Sequence, residues 1–213
     1  MYKKIAVSVV FLLCIAGLIG LVPGSPFSDG LVRHLRGMTT AEDVIPAGSF
    51  FDVVYILGGS QSSLREKYAR LDSLCRTIRY RTILILDRPG ITEYSSRMGR
   101  NLTNNEWSLM HLERLGIKRQ DVEFLSIREG YFGTLSEARA VAGWMEERGY
   151  RTALLITAPH HTARVKRSFE RMVGDSGCVC SVTGSAEEAP VSELLMENLK
   201  LAVYALILLP MEN

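Results

Sequence analysis

Histidine is scarce in this chain, with four residues in 213, and none of them falls in HExxH or HxH spacing. No CxxC pair occurs either, so the familiar sequence signatures of a zinc site are missing. Basic residues do not cluster with aromatics, no zinc-finger, RNA-recognition or coiled-coil pattern is found, and the net charge is only +2. Nucleic acid is therefore set aside as a partner. A GxGxxG fingerprint and a Walker sequence with its lysine are also absent. What remains is the composition of a folded protein, 47% hydrophobic and 23% charged. Its length suits one well-buried domain plus an appendage.

The appendage is N-terminal. After Lys3 and Lys4, residues 5–22 (IAVSVVFLLCIAGLIGLV) form an uncharged apolar run near the minimum length for a membrane-spanning helix. The two lysines favour a cytoplasmic N-terminus with the domain outside, against the weaker opposing bias of Arg33, His34 and Arg36. A cleaved signal peptide is the competing reading. Against it, the run exceeds an ordinary signal core and no clean small-x-small site follows. Leu12 and Leu13 before Cys14 also lack the small residue of a lipoprotein site. The expectation is an uncleaved anchor over 1–22, a connector over 23–50 and a domain over 51–209, in a single-pass protein of the bacterial plasma membrane.

Within the domain, apolar runs alternate with amphipathic segments. Strands are expected at 52–59, 82–87, 122–127, 152–158 and 178–184. Helices are expected from Ser63 to Cys75, over 105–116, over 136–149, after Pro159 and over 192–209. The last is apolar, with Glu197 and Lys200 making its start amphipathic, and is expected to pack on the sheet, contact with the membrane surface near the anchor being the alternative. This alternation implies an α/β, Rossmann-like three-layer sandwich with a mainly parallel sheet of about five strands. Cys178 and Cys180 alternate on a strand and, with Cys75, read as small apolar residues, a disulfide being left open.

Ligands of such folds lie beyond the carboxyl ends of the strands. The segments there are Gly58-Gly59-Ser60, Asp87-Arg88-Pro89-Gly90, Arg128-Glu129-Gly130 and Thr157-Ala158-Pro159-His160-His161. The glycine turn allows close approach of a ligand to backbone amides, and the helix after it offers its N-terminus to an anion, although a purely structural turn has the same sequence. The double histidine is open to four readings: a metal site, a catalytic pair, a phosphate clamp or the polar start of an ordinary helix. Pro159 suits a first helical turn. Val165, Phe169 and Met172 mark the buried face, which places His161 on the inner side within reach of Arg164 and turns His160 outward. Adjacent residues on a helix diverge by about 100°, which makes the two histidines poor joint ligands.

The stretches VVYILGGS with Arg65 and Ala69 after it, TILIL, LERLGI, GTLSEARAVAGWM and TALLITAPHHTARVKRSF occur in this order. In this the chain resembles the YdcF/SanA/ElyC-like family over roughly residues 51–205. Thr157, His161 and Arg164 match that family's Thr-Ser-x-x-His-x-x-Arg run, with Ala158 in place of the serine. Gly58-Gly59-Ser60 and Arg65 match its glycine turn. Thr134 and Glu137 match a helix start whose asparagine and one acidic residue are missing here. Where the family has Ser-Gly-Gly after the second strand, this chain has Asp87-Arg88-Pro89-Gly90 and a long polar segment with Arg97 and Arg100, so either the ligand differs or an arginine-bearing lid replaces the loop.

The resemblance implies a Rossmann-like sheet and a role in envelope biogenesis or integrity, in peptidoglycan or lipid-carrier metabolism. The reading that follows is a binder or enzyme for a phosphorylated, lipid-linked precursor. Arg65, Arg88 and Arg164 would neutralise phosphate, with Gly58, Gly59, Ser60, Thr134 and Thr157 lining the ligand. His161 would act as general acid or base, with Glu137 or Glu129 orienting it. The alternatives are a non-catalytic envelope protein that binds a partner, and a nucleotide-cofactor enzyme of the S-adenosylmethionine type. No acidic ribose-binding residue stands out for the latter. No cofactor or metal is assigned.

Overall fold

The central strands are formed by runs that are apolar on both faces. In β1 (Phe50–Ile56), Val53 to Ile56 are all buried, and in β6 (Thr152–Thr157) so is every residue after Thr152. Only a strand covered on both sides can bury consecutive residues in this way. The computed structural model describes residues 26–127, 133–174 and 177–205. With β2 (Arg79–Leu86), β5 (Val122–Leu125) and β7 (Val179–Gly184), these strands form one sheet in the order β5-β2-β1-β6-β7, every pairing parallel. The expected α/β sandwich with a five-stranded parallel sheet is thus observed.

Helices α2 (Gln61–Cys75) and α3 (Asn104–Arg114) cover one face, where Val54, Ile56, Ile83 and Ile85 meet Tyr68, Leu71, Trp107 and Leu112. Helices α4 (Gly133–Glu147) and α5 (Thr162–Val173) cover the other, where Val53, Tyr55, Leu84 and Leu155 meet Ala138, Val141, Met145, Val165 and Phe169. The chain leaves β1 toward β2 on one side, and β6 lies on the other. The strand order therefore reverses between β1 and β6, and a crevice opens there at their carboxyl ends.

Several expectations change. The polar segment after β2, expected as a loop or lid, is an antiparallel hairpin of β3 (Ile91–Ser95) and β4 (Arg100–Thr103). Arg100 is not poised for a ligand: it donates to both Glu106 carboxylate oxygens, and Glu106 closes a capping box with Thr103 at the start of α3. The stretch 23–50, expected as a connector, carries helix α1 (Pro26–Thr39), which packs against α6 (Val191–Val203). After α1, Asp43 accepts from the Val182 amide at 2.9 Å and Glu42 from the Gly184 amide at 2.8 Å. Two carboxylates thus occupy donors along the outer edge of β7, which would otherwise offer them to another strand.

Helix α6 was expected to pack on the sheet. Its neighbours are instead α1 and the turn after β6, with Glu197 also reaching Arg164 of α5. The expected anchor over 5–22, Glu129 and the chain beyond residue 205 lie outside the described residues. Among the described residues no helix is long and apolar enough to cross a membrane.

Candidate functional site at the switch point

Beyond β1 the backbone turns through Gly58 and Gly59. A Cβ on Gly59 would stand 3.0 Å from both Lys67 Nζ and Ser63 Oγ, and one on Gly58 would stand 3.3 Å from Leu86 Cδ2. Close approach of neighbouring side chains therefore favours glycine at both positions, more strongly at 59. Ser60 caps α2, its hydroxyl accepting from the Ser63 amide at 3.2 Å.

Beneath the turn lies Lys67, 1% exposed, donating to the Leu57 carbonyl at 3.0 Å and the Gly58 carbonyl at 2.7 Å. Burial pulls its pKa down to about 8, while Glu187 and Glu137 act in the opposite direction. On the α4 side, Glu137 accepts from the Tyr55 hydroxyl at 2.8 Å and from the Gly58 amide. Burial raises the Glu137 pKa above its ordinary value, against the lowering pull of Tyr55, Lys67 and Gly58. The carboxyl is thus set up to hold a proton more readily than a solvated glutamate does.

Beyond β6 the chain makes a short 3-10 turn, Pro159–His161, and α5 begins only at Thr162. This changes the histidines. His160, expected to face outward, is 3% exposed, its ring 4.1 Å from that of His161, and His161 is the more accessible of the two. The expectation assumed α-helical geometry from Pro159 onward, whereas the tighter 3-10 turn rotates successive side chains by more than an α-helix does. Burial lowers the His160 pKa, with His161 acting in the same direction, so His160 favours the neutral form.

His161 does lie beside Arg164, as the three-residue spacing predicts, with Nδ1 3.3 Å from a guanidinium nitrogen. The carboxylate beside it is not Glu137 but Glu197 of α6, whose Oε2 lies 2.9 Å from Nδ1. A carboxylate at that distance calls for a proton on Nδ1, which leaves Nε2 as the nitrogen able to exchange one. Glu197 is 1% exposed and also receives the guanidinium of Arg164, which in addition donates to Thr134 Oγ1. Burial alone would raise the Glu197 pKa, but the bonds from His161 and Arg164 prevail and bring it to about 2.

Most of the expected residues divide between two pockets flanking the end of β1, although His161 itself lines neither. Gly58, Gly59, Ser60 and Arg88 line one of about 180 Å³, over a floor that includes Tyr68 and Leu86. Thr134, Glu137 and Arg164 line the other, of about 460 Å³, with Lys200 and the apolar wall Leu199, Val203 and Tyr204. Gly58 joins them, since its amide bonds Glu137. Thr157 is buried at the end of β6, its carbonyl accepting from the Ser185 amide at 2.8 Å, and lines neither pocket.

Two of the expected phosphate cations are otherwise engaged. Arg65 pairs with Glu93 of the hairpin at 3.4 Å, lies 5.6 Å above the Trp107 ring and lines neither pocket. Arg164 is held by Glu197, so its charge is balanced within the protein. Arg88 does reach the turn, donating to the Gly59 carbonyl.

Lys67, Tyr55 and Glu197 were not singled out from sequence. For two of them a signal was present. Lys67 stands between Leu64 and Leu71, and Glu197 between Leu194 and Leu201, each at the spacing of a buried helical stripe. A charge on such a stripe needs a buried partner.

Among the described residues no three His, Cys, Asp or Glu side chains converge as metal ligands. Cys75, Cys178 and Cys180 are free thiols, and burial pushes Cys180 up to about 12, which makes it a poor nucleophile.

Fold and strand order place the chain among doubly wound parallel α/β proteins with their ligand crevice at the switch point. No protein-family model matches the chain, and no curated protein matches it.

Proposed function

We propose that the protein is a membrane-anchored, extracytoplasmic component of bacterial envelope biogenesis that binds and processes a phosphorylated, lipid-linked cell-wall precursor. The observation that carries this reading is His161 at the switch point, its Nδ1 held by buried Glu197 and its Nε2 left for proton exchange. The Gly59 amide and Arg88 supply donors for a phosphoryl group, and His161 gives or takes the proton of a transfer step. Glu137, its pKa raised by burial, offers a second proton carrier on the wall of the larger pocket. An apolar chain on the ligand is supported by the wall of Leu199, Val203 and Tyr204. That wall continues into Leu195, Met196 and Leu199, exposed on α6 at 43%, 53% and 59%.

A second reading, a non-catalytic envelope protein that docks a partner, draws on the same exposed row and on the commitment of Arg164 to Glu197. The two separate on His161→Gln. Under the first reading this variant stays folded and loses turnover of a polyprenyl-phosphate-linked substrate. Unchanged turnover and binding in the folded variant would sink it.

A further inference from the structure

The arginines expected to attract a phosphoryl group are largely engaged elsewhere, Arg164 with Glu197 and Arg65 with Glu93. Two cations stand at the glycine turn, Arg88 on the exposed side donating to the Gly59 carbonyl and Lys67 buried beneath it. Among the described residues the hydrogen bonds of Lys67 run only to the carbonyls of Leu57 and Gly58, which carry no charge. We propose that Lys67 is a positioning residue of the anion site, its buried ammonium orienting the Gly58–Gly59 amides and supplying the positive charge beneath them. This rests on reading the crevice as a site for a phosphoryl group.

The geometry follows from peptide planarity. No described peptide bond is cis, so each N–H points opposite to the carbonyl of its own peptide unit. Lys67 draws the Leu57 and Gly58 carbonyls to one side. The amides of Gly58 and Gly59 must then face the other. The Gly58 amide does so, donating to Glu137. The Gly59 amide likewise points off the face that Lys67 occupies, and Gly59 is among the residues that line the smaller pocket. Substitution at Gly59 would press on Lys67 itself, since an added Cβ stands 3.0 Å from Nζ.

Three charged groups act on the ammonium: Glu187 from the segment before α6, Glu137 from α4 and Arg88 from beyond β2. Glu187 is itself hydrogen-bonded by Ser63 at 2.8 Å. An ammonium buried among them loses its proton near pH 8. An anion above the turn favours the charged form and raises that value, so anion binding and protonation of Lys67 reinforce each other.

The test is calorimetric titration of the full chain in detergent micelles with sulfate, a dianion across the whole range used. Wild-type affinity is expected to fall about tenfold from about pH 7 to about pH 10, the equivalent of one pKa unit of coupling. Lys67→Gln keeps N–H donors for the two carbonyls but not the charge. It is expected to bind about tenfold more weakly at about pH 7 and to show a flat profile. Lys67→Arg, charged throughout, is expected to retain affinity and to flatten the profile. The proposal is overturned if the wild-type profile is already flat, or if Lys67→Gln matches wild type in strength and slope. Absence of saturable sulfate binding to wild type overturns the anion reading itself, and this proposal with it.

Discussion

Replacing Glu197 by glutamine removes the carboxylate that holds both His161 and Arg164, and the cost can be worked from the structure. Glu197 is 1% exposed and its pKa is lowered from 4.5 to about 2, so folding favours its ionised form. That gap corresponds to roughly 3 kcal/mol at about 1.4 kcal/mol per pKa unit. Removing one member of a buried pair costs about 3–5 kcal/mol by a separate route, because the other charge is left uncompensated. The two figures agree.

The sign also follows. A depressed carboxylate pKa stabilises the fold above the unfolded value of about 4.5, and the contribution disappears as pH falls toward about 2. Urea unfolding of the full chain in detergent, followed by fluorescence of buried Trp107 and Trp144, measures it. Glu197→Gln is expected to be less stable than wild type by roughly 3 kcal/mol at neutral pH, and by only about 1–2 kcal/mol near pH 3. A difference below about 1 kcal/mol at neutral pH, or one that does not shrink in acid, would refute the reasoning.

Gly59→Ala forces a methyl against Lys67 Nζ and Ser63 Oγ and is expected to cost about 1–3 kcal/mol in the same assay, whereas Gly143→Ala, with nothing within 4 Å, should be neutral or stabilising. Leu199→Asp on the apolar wall should weaken binding of long-chain alkyl phosphates while leaving inorganic phosphate unaffected, a contrast read by titrating a chain-length series. Cys180, with a thiol pKa near 12, should resist thiol reagents at neutral pH until the protein is unfolded; rapid labelling of the native protein at that position would contradict the burial described.

The sheet was legible because its strands are buried on both faces and read as continuous apolar runs, as in VVYIL and ALLIT. The His161–Arg164 pair was legible because both belong to one helical start, three residues apart. Glu197, 33 residues beyond Arg164, was not, since no local rule names a partner across that separation. Glu197 and Lys200 give the start of α6 an amphipathic pattern, which does not by itself separate a buried charge from a solvated one. Helix α1 was missed because Pro23, Gly24, Pro26 and Gly30 read as a connector, although Phe27, Leu31, Leu35 and Met38 stand at helical spacing. The hairpin was missed because most of its strand residues are exposed and show no apolar alternation. His160 illustrates how a local change of helix type, from α to 3-10, reverses the burial of two adjacent side chains.

The central claim, a phosphoryl-binding crevice served by His161, is tested most directly by titrating the full chain with farnesyl phosphate, comparing wild type with His161→Gln and Arg65→Ala. The account predicts saturable binding to wild type, a loss of about tenfold or more in His161→Gln, and no change in Arg65→Ala, whose side chain pairs with Glu93 and lines neither pocket. Equal binding by wild type and His161→Gln, or a loss confined to Arg65→Ala, would contradict it.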